Sequence, residues 1–171
     1  MKKNDLIKFA KTYFVVNKPY IIACGCENID CQEKETDFKT INTQNIPQEV
    51  LRKMENDPAY LANFSSEGFK FVFPSLISYV MEGDNFPNSD LYLHLLWYLE
   101  LPSINKNPQL HKYQKEKFET FTPEQNKIIY EFLKYSFDND HFFYEQKTIQ
   151  HALDRWWEKA DKTDIEKCNI R

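Results

Sequence analysis

The stretch Phe69-Lys70-Phe71-Val72-Phe73-Pro74-Ser75-Leu76-Ile77-Ser78-Tyr79-Val80-Met81 carries almost no charge. Read at helical period it is apolar on most sides, and a helix of that kind has to be wrapped by the rest of the chain. Ser65-Ser66-Glu67 ahead of it supplies helix-start chemistry, so a buried helix is expected near residues 66–82. Pro74 lies inside that helix with no N–H to donate, which frees a carbonyl near residue 70 that needs another donor. Such a break either lines a ligand pocket or only shapes a core.

Ser89 precedes Leu91, Leu93, Leu95, Leu96, Tyr98 and Leu99, with Pro102 beyond them, which predicts a second buried helix near 89–100. Helices near 4–15, 123–137 and 145–160 would pack against this pair. The first presents Leu6, Phe9, Ala10, Tyr13 and Phe14 at intervals of three and four. The next opens on Thr122-Pro123-Glu124-Gln125, a capping Thr with Gln three residues on and Pro at the first helical position. The last offers Ile149, Ala152, Leu153, Trp156 and Trp157. Pro47 suits the first turn of a short helix through Met54, Pro19 to Ala23 reads as a short strand, and Gln32 to Asn45 reads as irregular chain anchored by Phe38 and Ile41. The expected fold is mainly α, a single-domain irregular helical bundle over residues 1–171 with a short cysteine-bearing N-terminal lobe.

Three of the four cysteines crowd into Cys24-Gly25-Cys26-Glu27-Asn28-Ile29-Asp30-Cys31, and the fourth is Cys168. Thiolates gathered by local sequence are the usual start of a soft metal site, and structural zinc takes four ligands, so Cys24, Cys26, Cys31 and Cys168 form the candidate set. His94, His111, His141 or His151 would substitute for the fourth. A reactive thiol has less support, because Glu27 and Asp30 beside the cluster oppose thiolate formation and no Cys-x-x-Cys occurs. His94 sits in an apolar run, as a hydrogen-bonded core histidine does, while His141, His151 and Glu145 would form a polar cluster. Asp154-Arg155 reads as an exposed ion pair.

The chain has only three glycines, and Gly25, Gly68 and Gly83 build no phosphate-cradling loop. A net charge of −4 with no basic stripe argues against nucleic acid and favours a basic protein partner. No window approaches a membrane span. Asp5, Lys8 and Lys11 interrupt what a signal peptide would need as its apolar core, so the start reads as the first helix of a cytoplasmic protein.

The cysteine cluster, then Phe64-Ser65-Ser66-Glu67-Gly68-Phe69-Lys70-Phe71-Val72-Phe73-Pro74, then Phe118-Glu119-Thr120-Phe121-Thr122-Pro123-Glu124-Gln125 occur in that order. In this the chain resembles, over roughly residues 18 to 135, an uncharacterised bacterial family of small helical proteins with a cysteine knuckle near the start. The resemblance implies a fold class and a bacterial origin, and no reaction. The spacing of Cys26 and Cys31 is longer than a compact Cys-x-x-Cys knuckle.

The expected function is a non-enzymatic bacterial protein-interaction module of the immunity or antitoxin kind, using exposed aromatics within a carboxylate rim. The alternative is a zinc- or thiol-dependent enzyme using the Cys24/Cys26/Cys31 cluster. The oligomeric state is left open.

Overall fold

The computed structural model describes residues 1–23, 29–82 and 85–159. The fold is mainly α. Among the described residues the helices are α1 (Lys3–Tyr13), α2 (Ile29–Asp37), α3 (Gln48–Asn56), α4 (Ser66–Met81), the single turn α5 (Asn85–Asn88), α6 (Asp90–Leu99), α7 (Pro108–Phe118), α8 (Pro123–Asn139) and α9 (Phe143–Ala152). A π-helical turn, Leu153–Trp157, follows α9. The chain divides into two compact units, Ile7–Leu95 and Met1–Leu6 with Leu96–Arg171.

In the first unit α4 is the core. Phe69, Phe71, Val72, Phe73, Leu76, Ile77, Val80 and Met81 are all buried. Ser65 caps the helix, its Oγ accepting from the Gly68 N–H at 2.9 Å. The carbonyl freed by Pro74 finds its donor in Gln44, whose Nε2 lies 3.4 Å from the Lys70 carbonyl and 3.1 Å from that of Phe71. The same nitrogen donates to the Phe14 carbonyl at 2.6 Å, which anchors the end of α1. Phe14 in turn stacks on Phe73, ring centroids 4.2 Å apart. The stripe on α1 is narrower than expected: Leu6, Ala10 and Phe14 are buried, and Tyr13 is 44 % exposed.

The expected strand at 19–23 reduces to a single antiparallel bridge between Ala23 and Phe64. The Ala23 N–H is taken by the Glu35 carboxylate at 2.6 Å, while the Ile22 carbonyl accepts from the Ser65 N–H at 2.9 Å. Gly68 permits that approach, since a Cβ there would clash with the Ile22 carbonyl oxygen. The stretch read as irregular chain contains α2 over nine residues. Its inward positions are Cys31, Lys34 and, one turn on, Phe38, so its middle anchor is a lysine that burial turns into apolar contact.

In the second unit Phe118 is the hub, packing on Trp157 at 4.7 Å, Trp156 at 5.9 Å and Phe121 at 6.4 Å between centroids. Trp157 is buried and donates its indole N–H to the Leu99 carbonyl at 2.8 Å. The predicted capping box opens α8, with Gln125 N–H on Thr122 Oγ1 at 3.3 Å and Thr122 N–H on Gln125 Oε1 at 3.1 Å. Helix α7, which apolar periodicity does not reveal, starts on Asn107, whose Oδ1 accepts from the Leu110 N–H at 3.0 Å. Its buried face is Gln114, Lys117 and Phe118, with the Gln114 amide on the Tyr98 carbonyl at 2.6 Å. No helix among the described residues is long and apolar enough to cross a membrane.

Candidate functional site

Within the Ile7–Leu95 unit, α2, α3 and the turn after α3 enclose a cleft of about 700 Å³. Asp37 at the end of α2 is its centre. Its Oδ2 accepts from the Tyr60 hydroxyl at 2.8 Å, and its Oδ1 is ion-paired with the Lys53 ammonium. Glu33, one turn earlier on α2, and Asp57, just past α3, add two more carboxylates to the lining. Asp57 also fixes the turn, accepting from the Ala59 N–H at 2.9 Å. Three carboxylates thus face one lining ammonium.

Tyr60 forms the floor. Its ring is buried and carries the Lys34 ammonium 4.5 Å from its centroid. Lys34 also donates to the Asp30 carbonyl at 3.3 Å, so its charge is met from both sides. Burial, then the hydrogen bond to Asp37, then the charges of Asp37, Asp57 and Glu33 push the Tyr60 phenol above the ordinary tyrosine range. The bond to Asp37 likewise holds Lys53 charged above the usual lysine value, with Glu49 and Glu33 adding to it. The neighbouring carboxylates add to both shifts in the same direction, behind burial for Tyr60 and behind the Asp37 hydrogen bond for Lys53. Tyr60 stays protonated near neutral pH and Asp37 is committed to two donors, so neither is set up as a general base.

Of the predicted ligand set, Cys31 lies on α2, buried, on the helix that also supplies Glu33 and Asp37. It is half of a disulfide, so its sulfur is a thiolate ligand only after reduction. Cys24, Cys26 and Cys168 fall outside the described residues. Among the described residues no group of three or more His, Cys, Asp or Glu is gathered for a metal.

The histidines are spread through the fold. His94 is the hydrogen-bonded core histidine expected, its Nδ1–H donating to the Met54 carbonyl at 3.0 Å. His111 donates to the Pro102 carbonyl at 2.7 Å, and His141 is exposed. His151 lies with Glu100, Nδ1 to Oε1 3.1 Å, and Arg155 reaches the same oxygen at 2.7 Å. The π turn aims Arg155 there and at the Leu101 carbonyl, 3.0 Å away. Arg155 therefore pairs with Glu100 rather than Asp154, which accepts from Gln150 at 2.7 Å.

Asp37, Lys53 and Tyr60 carry no sequence signal, being brought together from three separate elements. The cysteine cluster points to the right helix through Cys31 alone. No curated protein and no solved structure matches the chain. A family model, described as a family of unknown function (DUF6714), matches residues 26–161, and the chain belongs to that family.

Proposed function

We propose that the protein is a non-enzymatic interaction module of a bacterial cell, of the immunity or antitoxin kind, and that the α2–α3 cleft grips a lysine or arginine side chain of a basic partner. The observation that carries this reading is the cleft itself: Glu33, Asp37 and Asp57 line about 700 Å³ over the buried Tyr60 ring. Carboxylates lining a cleft match a cation by charge. The net charge of −4 adds long-range attraction for such a partner.

A second surface in the other unit supports a binding role. Phe142, Phe143 and Tyr144 are adjacent and exposed, the last two at 74 % and 78 %. They are held rather than frayed. The buried Asp140 carboxylate accepts from the Phe142 N–H at 2.9 Å, and the Gln146 amide donates to the Asp140 carbonyl at 2.7 Å. Aromatics fixed in advance lose little entropy on binding.

The test is fluorescence polarisation of labelled oligolysine and oligoarginine peptides with the full chain, against Glu33→Gln and Asp57→Asn. Glu33 is exposed on α2, so its substitution leaves the packing alone. Saturable binding that weakens in both variants and with salt is expected. Binding unchanged in both variants, or no binding by the parent chain, would sink the proposal.

A further inference from the structure

The two commitments of Asp37, at the end of α2, differ in kind. Its Oδ2 accepts from the Tyr60 hydroxyl at 2.8 Å, and Tyr60 is itself buried, with the Lys34 ammonium 4.5 Å from its ring centroid. That side is fixed by the fold. The Oδ1 is ion-paired with Lys53, from the last turn of α3. The Lys53 side chain is 57 % exposed and that of Asp37 only 14 %. The carboxylate is therefore held in place while its counter-ion rides on a flexible stem open to water.

Lys53 belongs to the lining of the cleft, so its ammonium occupies the position beside Asp37 that an incoming cation would take. The hydrogen bond to Asp37, with the charges of Glu49 and Glu33 behind it, keeps that lysine charged. Two cations do not share one carboxylate oxygen without repulsion, so an arrival at Oδ1 has to displace the resident. Displacement is cheap. An ion pair with one exposed partner is weak because the released ammonium is rehydrated, and the arriving cation restores the charge opposite Asp37.

On the reading of the cleft as the grip for a partner's cation, we infer that Lys53 is its internal competitor: it fills the cleft in the free protein and swings into solvent when the partner's lysine or arginine takes Asp37 Oδ1. The affinity of the cleft is thereby set below what its carboxylates alone would give.

The experiment is a polarisation titration of labelled oligoarginine with the full chain, comparing the parent, Lys53→Met and Arg52→Met. Lys53→Met keeps an exposed unbranched stem and removes the ammonium; it is expected to tighten binding roughly three- to fivefold, the worth of an exposed pair that no longer has to be broken. Arg52 is exposed on α3 and outside the cleft lining, so its substitution removes the same charge without opening the cleft. Less than about a twofold change is expected there, the screened effect of one surface charge. A second readout follows Lys53 itself in the parent chain, whose side-chain ¹³Cε resonance is expected to move toward that of a free lysine as the peptide saturates. Binding by Lys53→Met no tighter than by Arg52→Met, or a Lys53 resonance unmoved at saturation, overturns the inference while peptide binding that depends on Glu33 and Asp57 leaves the cation reading standing. No binding by either the parent or Lys53→Met overturns both.

Discussion

Removing the Gln44 side chain tests how the chain tolerates a proline in its central helix. Pro74 gives the Lys70 carbonyl no helical donor, and Gln44 Nε2 reaches it at 3.4 Å while holding the Phe14 carbonyl at 2.6 Å. Gln44→Ala takes the side-chain donor away from both part-buried carbonyls. A lost hydrogen bond of this kind costs about 1 kcal/mol, up to about 2 where water does not replace it, and the 3.4 Å contact is the weaker of the two, so a total of about 1–3 kcal/mol is expected. In a chain of this length that lowers the melting midpoint by roughly 3–9 °C. Pro74→Ala restores an N–H one turn after Lys70. In that background the helix satisfies its own carbonyl, and the cost of Gln44→Ala should fall by about 1 kcal/mol. Denaturant unfolding of the four corners of this cycle measures the difference. Far-UV circular dichroism is the probe of choice, because Trp97, Trp156 and Trp157 all belong to the other unit. Additivity within about 0.5 kcal/mol would refute the coupling and leave Gln44 as an anchor of α1 only.

Gly68→Ala places a Cβ against the Ile22 carbonyl and 3.1 Å from Ser65 Oγ; overpacking and the strained Ser65–Ile22 bond outweigh the helix propensity gained, for a net loss of about 2 kcal/mol. An unchanged or raised melting midpoint would contradict that close approach. Tyr60 holds its proton more tightly folded than unfolded, so above the ordinary tyrosine pKa of 10.0 the unfolded chain binds fewer protons and stability falls as pH rises. Buried Tyr98 acts in the same direction, and Tyr60→Phe should flatten the alkaline fall; an identical profile in that variant would remove Tyr60 from the explanation. Zinc on Cys24, Cys26, Cys31 and Cys168 needs Cys31 reduced, so about one zinc per chain is expected only with reductant present and is lost in Cys31→Ser. Metal analysis showing no zinc in the reduced chain would end that proposal.

The helices legible in the sequence are those whose inner faces are apolar or whose ends carry a complete cap. Helix α4 announces itself by a run of Phe, Val, Leu and Ile, and α8 by Thr122 with Gln125, and both form as expected. Even the consequence of Pro74 is readable, down to the carbonyl at Lys70, although the identity of its donor is not. Gln44 lies 26 residues away in sequence. No local pattern marks it.

The two longer helices that stay hidden, α2 and α7, share a cause. Each turns lysine inward: Lys34 under α2, and Lys117 on α7, whose ammonium sits 4.3 Å from the Tyr113 centroid. A periodicity that counts lysine as polar registers no stripe there, because the methylene stem supplies the burial and an aromatic ring or carbonyl meets the charge. The cost of that arrangement is a set of partners that must be assembled from elsewhere in the chain. Around α2 those partners are Tyr60 and the Asp30 carbonyl, and Tyr60 in turn recruits Asp37, which recruits Lys53. What conceals the helix from sequence is therefore also what shapes the cleft beside it: one buried lysine between Cys31 and Phe38 is met by Tyr60, which joins Asp37 and Lys53, and a cleft lined with charge is left where an apolar stripe would have closed.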